Sequence, residues 1–165
     1  MSTEVKVTWL PDKGYLHQLT ARSHELFADA TKNNKGLDQA ATPHELFLLG
    51  LAACTAMTVE MFAASKGWPL KAVSVTVCET SVVDPDEAGK QIPHIGETLE
   101  IEGELSAEQL SKLQDIAKRC PVYKLFVGKK VVDCRLKQLS SQTPVPESMG
   151  QSKVDDSTAG DTSKS

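Results

Sequence analysis

Hydrophobic and polar residues alternate along the first part of the chain in the way typical of β-strands. Apolar side chains occupy every second position from Val5 to Trp9, which predicts a strand with one buried face. Turn-forming residues follow at 11–14, so we expect residues 15–21 to return as the hairpin partner and residues 24–30 to form a third strand. The N-terminal third is therefore predicted to consist of consecutive strands.

A long helix is predicted after this region, because both its start and its end are marked. Thr42 and Glu45 fit the two positions of a capping box, with a proline at the first helical position between them. Residues 46–64 are almost all apolar or small, Glu60 being the one charged side chain, and Gly67 supplies a stop signal. The pattern indicates a helix that is hydrophobic on every side.

An all-apolar helix of this length has two interpretations. A membrane span is one of them, but the segment carries Glu60 and lacks flanking anchor residues. A helix buried inside a protein is the other, and the pattern favours it. A domain of this size cannot cover such a helix on all sides. We therefore expect a homodimer in which a second copy completes the burial, and no association with membranes.

Alternation returns in the second half of the chain. Residues 73–78 and 99–105 each place apolar and polar side chains in turn, which predicts two strands of an antiparallel sheet. Ser106 then caps a second helix, which ends at Cys120, and residues 127–132 lead into a last strand. The expected fold class is α+β, with an antiparallel sheet packed on two helices.

Composition limits the number of domains and the classes of function. The chain has 165 residues, of which 40% are hydrophobic and 24% charged, as in an ordinary soluble domain. Apolar residues become rare after Leu139, so we expect one domain at 1–139 and a disordered polar tail at 140–165. The net charge of -4 argues against a nucleic-acid partner. No signal-like segment opens the chain, so the cytoplasm is the expected location.

The four cysteines are the first candidates for chemistry. No Cys-x-x-Cys pair is present, so a zinc site built on such pairs is not indicated. Cys54 lies in the middle of the predicted long helix, where burial as a small apolar residue is the usual interpretation. Its small neighbours would nevertheless let a substrate approach the thiol. Cys120 directly precedes a proline at a helix end, while Cys78 and Cys134 fall in strand patterns and are interpreted as packing residues.

Two segments that contain cysteines resemble the motifs of a known family. Residues 43–55 contain Pro-x-Glu-Leu-Phe followed by Gly-Leu-Ala-Ala-Cys-Thr, and residues 119–122 are Arg-Cys-Pro-Val. Both are similar to the cysteine motifs of the OsmC/Ohr family of organic hydroperoxide reductases, and the order of predicted elements agrees over about residues 5–139. The resemblance implies an OsmC-like fold in an intertwined homodimer, with the site at the subunit interface.

The resemblance also implies roles for the two cysteines. Cys54 would be the peroxidatic thiol that a hydroperoxide converts to a sulfenic acid, and Cys120 the resolving thiol that forms a disulfide with it. An external dithiol, of the lipoyl type in this family, would then reduce the disulfide, and no metal or organic cofactor is required. In the family an arginine from the N-terminal sheet lowers the pKa of the peroxidatic thiol. A glutamate at the start of the long helix holds that arginine.

Arg22 and Glu45 are the candidates for these two supporting roles. Arg22 is the only arginine placed between the N-terminal strands, although a solvated turn residue is an equally good interpretation. His44 occupies the position of the family's glutamate, and Glu45 is the next residue, which also serves the capping box. The sequence thus departs from the family's pattern at this point.

Two functions remain open on the sequence alone. The favoured one is a cysteine-based peroxidase that reduces organic hydroperoxides to alcohols in oxidative-stress defence, because an apolar pocket prefers an apolar substrate. The alternative is a non-catalytic OsmC-like dimer that senses redox state or binds small molecules. The displaced glutamate at His44 supports the alternative, while the presence of both Cys54 and Cys120 supports the peroxidase.

Overall fold

The computed structural model describes residues 4–136, and all structural observations concern this part of the chain. It has the predicted α+β class, with antiparallel sheets and α-helices. The tail predicted at 140–165 lies outside the described residues, so the domain boundary stays a prediction. The elements in chain order are β1 (Val5–Trp9), β2 (His17–Ala21), β3 (His24–Ala28), α1 (Pro43–Ser65), β4 (Leu70–Val83), β5 (Gln91–Gly103), α2 (Ala107–Ala117) and α3 (Pro121–Val127).

The first sheet contains β1, β2 and β3 in that order, each antiparallel to the next. Val7, Leu19 and Leu26 are paired directly across the sheet, so they lie on one face, together with the other apolar residues at alternate positions. Val7 and Leu26 are 58% and 57% exposed. One apolar face of this sheet is therefore uncovered in a single chain. β2 starts later and β3 ends earlier than the predicted ranges at 15–21 and 24–30.

The second sheet is a long antiparallel hairpin of β4 and β5, which packs on α1 and α2. Val73 pairs with Ile101 and Val75 with Leu99, so the inner face is apolar, while Glu100 lies on the outer face. This arrangement confirms the prediction of an antiparallel sheet packed on two helices. The residues that form this core are Val59, Ala63, Leu113 and Ala117, with Phe62, Trp68, Leu70, Val73, Leu99, Ile101 and Leu105 packed against them.

The start of α1 has the predicted capping box. The Glu45 backbone N–H donates to the Thr42 hydroxyl at 3.2 Å, and the Thr42 N–H donates to the Glu45 carboxylate at 2.7 Å. Pro43 occupies the first turn, where its missing N–H costs no hydrogen bond. These contacts define the start of the helix that carries Cys54.

Most of the apolar surface of α1 is uncovered in a single chain. Four of its 23 residues are buried, and they form one stripe that faces the core. On the other side, Leu49, Met57 and Met61 are each more than half exposed. By length and composition the helix would be able to cross a membrane, a property that the core helices of soluble proteins share. No element of the described residues packs against this exposed apolar stripe, so burying it would require a second molecule.

α3 is an element that the sequence analysis missed. α2 ends at Ala117, three residues before the predicted end at Cys120, and Cys120 instead caps α3, because a proline restricts the residue before it but fits the first turn of a helix. The Tyr123 N–H donates to the Cys120 sulfur at 3.4 Å. The predicted last strand is wrong over residues 131–136, which form neither helix nor strand. Neighbouring valines favour extended backbone there, but a strand also requires a partner strand.

Candidate active site

Cys54 lies in the middle of α1, on the side that faces α3. It is half-buried, so part of its surface is open to a ligand. One turn later, the Thr58 hydroxyl donates to the Cys54 backbone carbonyl at 2.7 Å, a bond that fixes the Thr58 side chain beside the cysteine. The small residues around Cys54 in the sequence therefore do not lead to full burial.

Cys120 is brought directly to Cys54 by the junction between α2 and α3. Its side chain has no solvent-exposed surface, and its thiol is close enough to the Cys54 thiol to affect the pKa of Cys54. Both thiols are free. The structure thus places one partly accessible and one fully enclosed thiol side by side, although they belong to different helices.

The pKa of the Cys54 thiol is raised above its ordinary value in a single chain. Burial is the main cause, and the hydrogen bond and charge interaction with Cys120 raise it further. The backbone N–H of Val122 acts in the opposite direction, because it stabilises a thiolate, and the nearby Thr58 side chain adds a smaller lowering effect on the pKa. None of these principal causes is a cation, and their net effect within one chain disfavours the thiolate.

Arg22 is not brought to Cys54 within one chain. It lies in the turn between β2 and β3, with a positive φ of 58°, and shares a shallow groove with Lys6 and Thr20. The first sheet makes no extensive contact with α1 in the described part of the chain. The role expected of Arg22 therefore requires a second subunit.

The Glu45 carboxylate is engaged in the capping box at the start of α1. Its carboxylate accepts hydrogen bonds from the Thr42 N–H at 2.7 Å and from the Thr42 hydroxyl at 2.9 Å. These bonds hold the pKa of Glu45 below its usual value. The structure shows Glu45 bound to Thr42 and shows no arginine bound to it among the described residues.

His44 has a partner that the sequence analysis did not identify. Its Nε2 lies 2.6 Å from the Glu79 carboxylate, which joins the start of α1 to β4. The two residues are far apart in the sequence, and no local motif links them. The residue at the family's glutamate position thus binds an acid on the hairpin, on the side of α1 that faces β4.

Cys78 and Cys134 are both exposed, so the interpretation of these cysteines as packing residues is wrong. Cys78 faces outward from β4 opposite Gly96, which has no side chain to cover it. The alternating pattern correctly predicted a strand whose valines face inward, and Cys78 lies on the opposite face with Ser74 and Thr76. No group of three or more potential metal-binding side chains occurs among residues 4–136.

Comparison with known families adds an independent observation to this geometry. The sequence model of a family described as OsmC-like protein matches residues 36–135, which include Glu45, Cys54 and Cys120. The chain belongs to the OsmC-like protein family. The family resemblance of the two cysteine motifs is therefore confirmed.

Solved structures of OsmC-like proteins share the fold. An OsmC-like protein from Mycoplasma pneumoniae has a TM-score of 0.62 and 20% identity, covering 78% of this chain and 89% of that one. An organic hydroperoxide resistance protein OsmC from Legionella pneumophila has a TM-score of 0.56 and 21% identity, covering 78% and 90%. One from Elizabethkingia anophelis has a TM-score of 0.57 and 18% identity, covering 78% and 89%. No curated protein is a significant sequence match.

An aromatic pair lies on the same side of α1 as the thiols of this OsmC-like chain. Phe47 of α1 and Phe126 of α3 are stacked, with ring centroids 4.3 Å apart and an interplanar angle of 19°. Phe47 and Cys54 are seven residues apart, so they share one side of the helix. The spacing of Phe47 and Cys54 can be read from the sequence. The pairing of Phe47 with Phe126 cannot, because it depends on α3, which the sequence analysis missed.

Proposed function

We propose that this OsmC-like protein reduces organic hydroperoxides to alcohols, with Cys54 as the peroxidatic thiol and Cys120 as the resolving thiol. The observation that carries the proposal is the direct approach of the two sulfurs. Cys54 is the more accessible of the two, and Cys120 is fully enclosed. This difference in exposure suits Cys54 as the thiol that reacts with the substrate and Cys120 as the thiol that reacts only with oxidised Cys54.

The reaction needs only the two thiols, a hydroperoxide and an external dithiol. The Cys54 thiolate attacks the terminal oxygen of the hydroperoxide, the O–O bond breaks, and the alkoxide takes a proton and leaves as an alcohol. The Cys120 sulfur then attacks the Cys54 sulfenic acid, so an S–S bond forms and water leaves. A dithiol reduces this disulfide by two exchange steps and becomes a disulfide itself. Membership in the OsmC-like protein family supports this assignment, since solved structures that share its fold include organic hydroperoxide resistance proteins.

Activation of Cys54 is proposed to occur in a homodimer. Burial raises the pKa of Cys54 in one chain, and Arg22 of that chain lies on a sheet that does not pack on α1. The exposed apolar stripe of α1 and the exposed apolar face of the first sheet would both be covered by a second copy. In such an intertwined dimer, Arg22 of the partner subunit is the cation that we propose stabilises the thiolate.

The substrate, reductant and location follow from the same surroundings. Aromatic and apolar side chains flank the Cys54 side of α1, which favours hydroperoxides with apolar groups over hydrogen peroxide. The enclosed position of Cys120 favours a slim reductant, for which a lipoyl-type dithiol is suited. The exposed free thiol of Cys78 favours a reducing compartment such as the cytoplasm.

Peroxide consumption in single-cysteine variants tests the proposal. Cys54→Ser should abolish the consumption of cumene hydroperoxide, because no attacking thiol remains. Cys120→Ser should permit a single oxidation and leave a sulfenic acid that a dimedone-type reagent traps on Cys54. Cys78→Ser is the matched control, since its thiol is exposed and lies on the outer face of β4, and it should behave as wild type. Unchanged consumption by Cys54→Ser would contradict the proposal.

A second candidate function is a redox sensor, and the observation that favours it is that neither Glu45 nor His44 binds an arginine among residues 4–136: Glu45 is bonded to Thr42, and His44 to Glu79. Without a cation held beside the thiol, turnover is slow, and a single oxidation is sufficient for a protein that reports peroxide. The two functions differ in turnover. With excess dihydrolipoamide, a peroxidase consumes many equivalents of hydroperoxide per chain, whereas a sensor is oxidised once and releases alcohol only in proportion to protein.

A further inference from the structure

Gly50 is a glycine in the interior of α1, one turn before Cys54. Glycine is a poor helix former compared with alanine, because it loses more backbone freedom on folding. The backbone conformation does not require it, since the φ of Gly50 is not positive. A Cβ atom at this position would meet no heavy atom of the described residues within 4 Å. Nothing in the packing of one chain therefore explains the glycine.

The missing side chain leaves space next to the candidate peroxidatic thiol. In an α-helix the Cα–Cβ bonds tilt toward the N-terminus, so the side chain of residue i lies over residue i−4. Cys54 and Gly50 have this spacing. The thiol is bounded on the α3 side by Cys120 and Val122, and on its other side by Thr58. Because Gly50 has no side chain, and a Cβ there would meet no heavy atom within 4 Å, the Gly50 side of the thiol is left open in a single chain.

The same approach leads to an aromatic surface. The stacked rings of Phe47 and Phe126 lie beyond Gly50, about 10 Å along the helix axis from Cys54. Phe47 is 56% exposed, so its ring is available for contact. Aromatic rings favour stacked or edge-on contact with other rings. A molecule that reaches Cys54 across Gly50 would place its bulky end against this pair.

We infer that Gly50 is a specificity-determining residue for the thiol site. It leaves a path between Cys54 and the Phe47–Phe126 stack that accommodates the aryl or branched group of an organic hydroperoxide. The peroxide end reaches Cys54, and the apolar group lies above Gly50 against the rings. This inference rests on the proposed peroxidase function, because it names the group of the substrate that the site selects.

Graded substitution of Gly50 tests the inference in the full chain. Gly50→Ala and Gly50→Leu fill the path in two steps, and Ala64→Leu is the matched control, because it places the same leucine side chain at an exposed position far along α1. We expect Gly50→Leu to slow the reaction with cumene hydroperoxide by about tenfold or more, while the rate with hydrogen peroxide changes by less than about twofold. Gly50→Ala should have a smaller effect in the same direction and a higher midpoint of unfolding.

Two results would overturn the inference. One is an unchanged ratio of the cumene hydroperoxide rate to the hydrogen peroxide rate in both Gly50 variants. The other is a loss of dimer in Gly50→Ala by sedimentation, because the space would then belong to a neighbouring helix and not to a substrate. Since alanine is well tolerated in helices, Gly50→Ala keeps the test valid even if Gly50→Leu does not fold.

Alkylation separates a failure of this inference from a failure of the proposed function. If the wild type consumes no peroxide, the peroxidase proposal fails, but access to Cys54 is still measurable. Iodoacetamide is small and N-phenylmaleimide carries an aryl group, and peptide mass spectrometry reports the labelling of Cys54 by each. Gly50→Leu should slow labelling by N-phenylmaleimide far more than labelling by iodoacetamide. Equal slowing of both reagents would contradict a path for bulky groups.

Discussion

At the scale of single residues, the reactivity of Cys54 depends on its pKa, which burial raises and neighbouring hydrogen-bond donors lower. Burial and the neighbouring Cys120 raise its pKa, and the Val122 N–H and Thr58 hydroxyl lower it. The sequence correctly directed attention to Cys54 and Cys120, because the motifs around them are specific. The sequence did not predict that the pKa of Cys54 would be raised, because its burial depends on contacts between α1 and α3 that no local pattern encodes.

Substitution of Arg22 tests whether its positive charge lowers the pKa of Cys54. Arg22→Met should raise the pKa of Cys54 and slow its alkylation at pH 7, by about tenfold for each unit of pKa. Lys6→Met is the matched control, because Lys6 lies in the same groove of the first sheet. Rates of Cys54 alkylation measured across pH provide the pKa in each variant. A wild-type rate in Arg22→Met would mean that the cation comes from elsewhere.

Asp29 is a buried carboxylate that the sequence analysis did not identify. It is 2% exposed and accepts hydrogen bonds from the N–H groups of Ala30 at 2.7 Å and Gln39 at 3.1 Å. The Gln39 bond is the largest cause that lowers the pKa of Asp29, against a smaller opposing effect of burial. The ionised side chain thus fixes the loop that leads from β3 to α1.

The lowered pKa of Asp29 predicts a pH dependence of stability. The ionised form is favoured in the folded chain, so the stabilisation is fully present above the unfolded pKa and is lost as pH falls through the folded pKa. Asp29→Asn should lower the thermal midpoint at pH 7 by roughly 5 °C and reduce the loss of stability on acidification. Asp12→Asn, an exposed control, should leave both unchanged. Thermal unfolding of the three proteins between pH 3 and pH 7 decides the matter, and parallel curves for wild type and Asp29→Asn would contradict the account.

At the scale of elements, the sequence predicts best where local chemistry is sufficient. The capping residues Thr42 and Ser106 mark two helices, because a side chain bonding a nearby N–H is a local event. α3 was missed and a last strand was wrongly predicted, because strand formation depends on a partner that the sequence does not name. The separation of the strands into two sheets likewise depends on long-range pairing.

The capping box of α1 supplies a prediction at this scale. Thr42→Ala should lower the free energy of unfolding by about 1 kcal/mol, because the Glu45 N–H loses its acceptor. Glu45→Gln should have little effect on stability, since glutamine also fills the capping-box position. Chemical denaturation measures both. If Glu45→Gln slows the reaction of Cys54 with peroxide while stability is unchanged, Glu45 has a role beyond the cap.

At the scale of the whole molecule, a single chain leaves two apolar surfaces open. One is the stripe of Leu49, Met57 and Met61 on α1, and the other is the apolar face of the first sheet. Exposed apolar surfaces of this extent are typical of protein interfaces. The sequence predicted this consequence, because a helix that is hydrophobic all round exceeds what one small domain can bury.

Charge on the α1 stripe tests the dimer. Met57→Glu should dissociate or unfold the protein, because the interface would have to bury a carboxylate without a partner. Lys112→Glu places the same residue on an exposed position of α2 and should leave the sedimentation coefficient unchanged. The wild type should sediment as a dimer at micromolar concentration. A well-folded wild-type monomer with full activity would contradict the intertwined assembly.

The most direct test of the central claim is the identity of the bond formed when one equivalent of cumene hydroperoxide meets the reduced protein. We expect Cys54 and Cys120 to be lost as free thiols together and to appear in peptide mass spectra as one disulfide, with cumyl alcohol released in equal amount. Cys78, which is exposed, should remain free. Loss of Cys78 instead, or alcohol formation with Cys54 and Cys120 still reduced, would contradict a mechanism based on this thiol pair.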